Sequence, residues 1–275
     1  LDLKKFGIRA LVTIVFGPFV LYCAWKGGYL FLTLVTSLVV LGVNEFYGLA
    51  VQKVTKPERV VGTLASSALC VIVFFFGVEY VWLVIAIALF LLGTSELFRN
   101  QLNPILNLAT NLMGMFYVAF SLCFLILIRE IPRETNLDYS QGGRIMILVF
   151  LAIWVCDTMA YVLGSQLGRH KLFERVSPNK TVEGTILGFV FAVVTGYICQ
   201  LTFLNDMRLM DVLAVSVICG SVGQVSDLLE SLLKRDAKVK DSSNLIPGHG
   251  GILDRFDSEI LAAPAVYLYL KFVAF

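Results

Sequence analysis

Long apolar runs separated by short polar breaks organise this chain from end to end. Nine runs reach or approach membrane-spanning length, at 10–25, 29–49, 60–78, 80–98, 104–128, 145–167, 185–204, 209–229 and 258–275. A helix needs about 20 apolar residues to cross a bilayer, so the pattern predicts an all-α, polytopic integral membrane protein with about nine transmembrane helices. The first run is short, but Arg9 and Lys26 at its ends can snorkel to the two interfaces. Lys26-Gly27-Gly28 follows it with no A-x-A-type cleavage site, so it reads as a retained helix and not as a signal peptide. Only Glu79 separates the third and fourth runs, which demands a tight helical hairpin.

Composition agrees: 58% of residues are hydrophobic and 15% charged, with mean hydropathy +0.82, against about 25% charged in a soluble domain. Placing the N-terminus in the cytoplasm puts sixteen of the 22 basic residues on the inner side and six, among them Arg129, Arg133 and Arg144, on the outer side. The positive-inside rule therefore predicts a cytoplasmic N-terminus and an external C-terminus. The outer loop from Arg129 to Arg144 also carries Glu130, Glu134 and Asp138, and is nearly neutral. The net charge of +2 gives no reason to expect a nucleic-acid partner. All six cysteines lie inside apolar runs with no CxxC pair, and read as small core residues, not as a disulfide or zinc framework. No repeat or low-complexity linker divides the chain, so residues 1–275 are expected to form one integral membrane catalytic domain. Its polar segments 168–184 and 234–257 fall on the same, cytoplasmic face.

The chemistry concentrates between Ser231 and Asp257, which holds nine charged side chains and one of the two histidines. Asp227, Glu230, Ser231 and Lys234 recur at helical spacing near the cytoplasmic end of the eighth run. Asp254 and Asp257 precede the ninth run; if Asp254 begins that helix, both carboxylates share its first turn. Hard oxygen ligands from two helix ends suit Mg²⁺, and the lack of neighbouring Cys or a second His argues against zinc. A solvated charge run in which these acids pair with Lys234, Arg235 and Arg255 is the competing reading. An acid such as Asp227, placed directly after a long apolar helix, favours function. Pro247-Gly248-His249-Gly250-Gly251 is a turn whose backbone N–H groups could cradle a phosphate, while His249 alone reads as a structural hydrogen-bonding residue. In Ser177-Pro178-Asn179-Lys180-Thr181-Val182-Glu183-Gly184, Ser177 or Thr181 is expected to cap a helix with Glu183 in its first turn. That leaves Lys180 unexplained, and a lysine at a helix N-terminus suits a triphosphate. Asp157, with Thr158 and Tyr161, makes a polar patch inside the sixth run. Glu45 and Glu96, near the cytoplasmic ends of the second and fourth runs, read as interfacial or structural as readily as functional.

These residues resemble the phosphatidate cytidylyltransferase (CDP-diacylglycerol synthase) family. Its signature has the form S-x-[apolar]-K-R-x4-K-D-x-[small]-x2-[apolar]-P-x-H-G-G-x2-D-R-[apolar]-D, and every fixed position is filled from Ser231 through Lys234, Arg235, Lys240, Asp241, Ser243, Pro247, His249, Gly250, Gly251, Asp254 and Arg255 to Asp257. The loop Ser177–Gly184 is similar to the family's S-P-x-K-T-x-E-G element. The N-terminal half is less specific. The resemblance implies a reaction of CTP with phosphatidate that gives CDP-diacylglycerol and pyrophosphate. It implies Mg²⁺ at Asp227, Asp254 and Asp257, a neighbouring K⁺ site, and a homodimer. It implies catalytic roles for these aspartates with Lys234, Arg235 and Asp241. Substrate binding would fall to Asp157, Ser177, Lys180, Thr181, Glu183, Lys240, His249, Gly250, Gly251 and Arg255. The expected setting is a bacterial inner membrane or its equivalent, with the site open to the cytoplasm and to lipid. The alternatives are a CTP-dependent polyprenol or phytol kinase, which would release CDP and a lipid phosphate, an ion transporter lined by Asp157 and Asp227, and a membrane scaffold.

Overall fold

The structure, a computed structural model, describes residues 3–52, 55–135, 137–245 and 250–275, with side chains from residue 14 onward. The side chains of Lys4, Lys5, Arg9 and Lys53, and the turn residues Pro247, Gly248 and His249, lie outside the described set. Helices fall on all nine predicted runs: α1 (Leu3–Lys26), α2 (Gly28–Val51), α3 (Arg59–Phe76), α4 (Val81–Arg99), α5 (Pro104–Met113) continuing through a π-helical stretch Gly114–Phe120 into α6 (Ser121–Glu130), α7 (Tyr139–Leu167), α8 (Val182–Thr202), α9 (Leu209–Asp236) and α10 (Asp257–Tyr269). Seven of these segments are long and apolar enough to cross a membrane. Over its described residues α1 is shorter than that measure, and α10 gives way to a π-helical turn at Leu270–Ala274. The expected tight hairpin between α3 and α4 is there, turning at Gly77 with φ 62°.

The chain packs as two compact units. One comprises α1 as far as Cys23, Gly27–Leu127 and Asp236–Phe256; the other comprises Ala24–Lys26, Ile128–Arg235 and Asp257–Phe275. In the first unit, α2, α3 and the π-helical stretch pack on one another. Tyr47, fully buried, donates from its hydroxyl to the Asn111 carbonyl at 3.3 Å. Glu96 is structural: it pairs with Arg99 at 2.7 Å and accepts from buried Asn107 at 3.2 Å.

In the second unit the main packing is α7 on α8. The helices approach closely because glycines face backbone. A Cβ on Gly184 would lie 2.6 Å from the Ala160 carbonyl, and one on Gly188 2.7 Å from that of Cys156. Small residues at such crossings are how helices associate where no hydrophobic effect drives them together. Arg129 departs from its expected place in an outer loop. It is buried at the end of α6, with Nε 2.6 Å from the Ala24 carbonyl and Nη2 3.0 Å from that of Trp25. The last carbonyls of α1 have no helical partners, and a forked guanidinium satisfies two at once.

The chain is mostly helical, as expected, and among the described residues it adds one small strand pair: Lys171–Phe173 (β1) and Ser177–Thr181 (β2) form an antiparallel hairpin pairing Lys171 with Thr181 and Phe173 with Ser177. One expectation is corrected. Asp254 does not begin α10. It sits in a separate 3-10 turn, Leu253–Arg255, and Phe256 (φ −122°, ψ 18°) breaks the helical path before Asp257. The outward surface is apolar, as lipid requires: Phe90, Leu97, Phe98 and Ile105 are among the most exposed side chains.

Candidate active site

The C-terminal residues of α9 keep the predicted helical stripe, because the helix runs on to Asp236. The polar face is the inward one. Ser226, Glu230 and Lys234 are buried while Val225 and Leu232 are exposed, the inverse of a soluble amphipathic helix. Lys234 pairs with Glu230 one turn earlier. Asp227 takes a salt bridge from Lys180 and a longer contact, 3.4 Å, from the Ser231 hydroxyl. The start of α10 is fastened to the same face: the Ser226 hydroxyl donates to the Asp257 carbonyl and accepts from the Leu261 N–H at 3.2 Å. Asp257 opens α10, its carboxylate accepting from the adjacent Ser258 N–H at 2.7 Å. Ser258 reaches Asp157 of α7 at 3.3 Å. The charges acting on Asp257 are Asp227, Glu230 and Asp157, with Lys234 as countercharge. One unit therefore holds Asp157, Asp227 and Glu230 within electrostatic reach of Asp257, with Lys180 paired to Asp227 and Lys234 to Glu230.

Lys180 reaches Asp227 because the hairpin carries it there. Thr181 ends β2 and caps α8, its hydroxyl accepting from the Gly184 N–H at 3.2 Å. Glu183 turns back to accept from the Arg169 and His170 N–H groups at 3.0 and 3.2 Å and meets His170 Nδ1 at 2.6 Å. Thr181 and Glu183 thus shape the hairpin that presents Lys180. Ser177 lies in β2 with Phe173 as its strand partner, so the helix cap falls to Thr181. Arg235, at the end of α9, donates to the Val176 carbonyl in the hairpin turn at 3.2 Å.

The other unit holds the described part of the signature loop. Lys240, Asp241 and Arg255 are exposed. Asp254 is half-buried, and its Oδ2 accepts from the Ser242 N–H (2.9 Å), the Ser242 hydroxyl (2.9 Å) and the Gly251 N–H (2.7 Å). Glu45 of α2, buried at 8% exposure, meets the same loop. Its Oε1 accepts from the Ser243 hydroxyl (2.7 Å) and the Ile252 N–H (3.0 Å). Its Oε2 accepts from the Ser242 hydroxyl (2.9 Å) and the Leu253 N–H (2.8 Å). Sequence reasoning left Glu45 undecided, since its partners lie about 200 positions away and no spacing rule links them. It also passed over Glu259, buried in α10 beside Asp157 and Trp154.

Asp227 and Asp257 share a unit, and Asp254 belongs to the other. Among the described residues, no three His, Cys, Asp or Glu side chains are grouped so that they could hold a metal as they stand. The chemistry of the donor set still fits a hard divalent cation. Four carboxylates, Asp157 on α7, Asp227 and Glu230 on α9 and Asp257 on α10, have two lysines paired among them, and crowded partly buried carboxylates call for further positive charge.

Seven long apolar helices and the acids and lysines they bring inward define a polytopic membrane protein with a buried ionic cluster. The profile of the Cytidylyltransferase family matches residues 7–273, nearly the whole chain, and the chain belongs to that family. Cytidylyltransferases generally use Mg²⁺. Relatives named phosphatidate cytidylyltransferase match along two thirds or more of their length. One from Staphylococcus epidermidis is 30% identical over 269 residues, covering 96% of this chain and 98% of the relative. One from Staphylococcus aureus is 32% identical over 267 residues, covering 94% and 95%. One from Staphylococcus saprophyticus is 36% identical over 186 residues, covering 68% and 67%.

Proposed function

We propose that this protein transfers the cytidylyl group of CTP to phosphatidate, releasing pyrophosphate and leaving CDP-diacylglycerol in the membrane. The observation that carries the reading is the group of Asp157, Asp227, Glu230 and Asp257 on apolar helices, with Lys180 of the hairpin paired to Asp227 and Lys234 to Glu230. The near full-length match to relatives named for this reaction supports it.

A phosphate-monoester oxygen of phosphatidate attacks the α-phosphorus of CTP. The α,β-anhydride bond breaks, and its electron pair leaves on pyrophosphate. The attacking oxygen is already anionic near neutral pH, so no strong general base is required, and the protein's task is positioning and charge neutralisation. Lys180, held at the mouth of the hairpin by Asp227, and Lys234 offer ammonium charge to the phosphates. Arg235, Lys240 and Arg255 extend that field. Asp241 enters on its signature position alone, as does His249. Asp227 and Asp257 are the residues of the cluster that would hold Mg²⁺, with Asp254 joining them on the strength of the signature. Mg²⁺ held there would supply positive charge to offset that of the phosphates and of the leaving pyrophosphate. A neighbouring K⁺ site and a homodimer are carried over from the family resemblance. The positive-inside distribution faces the site to the cytoplasm, and the diacyl chains stay in the bilayer.

The test is incubation of purified protein with radiolabelled CTP, phosphatidate and Mg²⁺, followed by product identification. CDP-diacylglycerol and pyrophosphate are expected. CDP together with a newly phosphorylated lipid would assign a kinase instead. Ion flux through proteoliposomes without CTP, and no nucleotide product, would assign a transporter.

A further inference from the structure

Glu45 lies outside the signature, and the proposed chemistry has no use for it. Its carboxylate nevertheless binds the signature loop on both sides of the glycine pair. Each oxygen accepts one serine hydroxyl and one backbone N–H, four donors between 2.7 and 3.0 Å. A carboxylate matches four donors; a neutral amide does not, because its NH₂ edge would face one hydroxyl and one N–H. The hydroxyl can rotate to accept, but the backbone N–H cannot.

The two glycines have a structural reason here that their resemblance to a phosphate cradle conceals. Gly250 has φ +83°, and a Cβ there would lie 2.6 Å from Asp254 Oδ2. A Cβ on Gly251 would lie 2.1 Å from the Ser242 hydroxyl and 2.3 Å from Glu45 Oε2. The space that the missing side chains leave is filled by carboxylates of the protein itself. Ser242 couples them. Its hydroxyl oxygen lies 2.9 Å from both Glu45 Oε2 and Asp254 Oδ2 and has one proton to donate, so the hold on one carboxylate depends on the placement of the other.

We propose that Glu45 is a positioning residue for the reaction: it fixes Ser242, Ser243 and Gly251–Leu253, and through Ser242 and Gly251 it sets the orientation of Asp254. This rests on the reading that the signature loop serves the cytidylyl transfer. The experiment compares Glu45→Gln with the parent enzyme for kcat, for KM of CTP and phosphatidate, and for amide hydrogen exchange across residues 242–256. Expected is a fall in kcat of about 10- to 100-fold, the size of one buried donor left unsatisfied, with both KM values within about twofold. Faster exchange should be confined to this loop, with α2 and the other helices protected as before. A merely structural role would lower yield and protection throughout without separating kcat from KM. Ser242→Ala, which keeps both backbone contacts to Glu45, covers the case in which Glu45→Gln does not fold. It should give a smaller fall of about 3- to 10-fold and the same localised exchange. Parent-like kcat, or parent-like exchange at Gly251–Asp254, in whichever variant folds overturns the proposal. Because exchange is read without substrate, the clamp is judged even if the parent enzyme makes a product other than CDP-diacylglycerol.

Discussion

At the residue scale, the cluster gives its carboxylates unequal duties. Asp227 is joined to Lys180, and both are about a quarter exposed, so the pair contributes little to stability once solvent screening is allowed for, roughly 1 kcal/mol or less. Asp227→Asn is therefore expected to leave the protein folded while turnover falls at least about 100-fold. Asp257→Asn should fall as far, because the amide keeps the size of the side chain and removes its charge. Size-exclusion behaviour and initial rates of CDP-diacylglycerol formation measure the two effects separately, and near-parental rates in either variant would remove that residue from the cation centre. Lys180→Met should lose activity more severely than Lys180→Arg, which keeps the charge but not the compact ammonium. Equal loss in both would mean that geometry at this position outweighs charge. The stripe Asp227, Glu230, Ser231, Lys234 was legible from helical spacing, because a helix turns local separation into shared facing. The bridge from Lys180 to Asp227 spans 47 positions and the one from Glu45 to Leu253 spans 208. No local period encodes such contacts; only the packing of helices makes them.

At the element scale, apolar length is a strong signal because lipid leaves the backbone few alternatives to a helix, and helices accordingly lie on every predicted run. Polar connections carry no such constraint, and there the sequence said less. The hairpin Lys171–Thr181 has strands of three and five residues, too short for alternation to stand out from a helix-capping loop. The three-residue spacing of Asp254 and Asp257 suggested one helical turn, but Phe256 leaves the helical region between them. Where the sequence placed small residues in apolar helices, the structure supplies a reason that can be measured. Gly188→Val would drive a branched side chain into the Cys156 carbonyl and is expected to cost about 1–3 kcal/mol through separation of α7 from α8. Gly93→Val is its control, since nothing lies within 4 Å of a Cβ there. Thermal unfolding in detergent should show a lowered midpoint for the first and little change for the second. Equal midpoints would show that α7 and α8 do not depend on this close crossing.

At the scale of the whole molecule, the membrane fixes where the chemistry can be. At 1.5 Å per residue, the 28 residues of α9 extend about 42 Å, beyond the roughly 30 Å hydrocarbon core. About 20 residues from Leu209 bring the chain to the neighbourhood of Asp227, so the last turns, which carry Asp227, Glu230 and Lys234, emerge at an interface. A lipid phosphate resides at that depth, and a nucleotide can reach it from water. Asn205 and Asn244 flank this one crossing and both are exposed, while the six native cysteines are buried. Cysteines introduced as Asn205→Cys and Asn244→Cys should therefore react with a membrane-impermeant maleimide from opposite sides. In the cytoplasm-facing orientation proposed above, Asn244 should label in inside-out vesicles and Asn205 in intact spheroplasts. Reversed labelling would turn the molecule over and place the site outside the cell, where CTP is not supplied. Labelling of both positions from one side would mean that α9 does not cross at all, and the interfacial placement of its carboxylates would go with it.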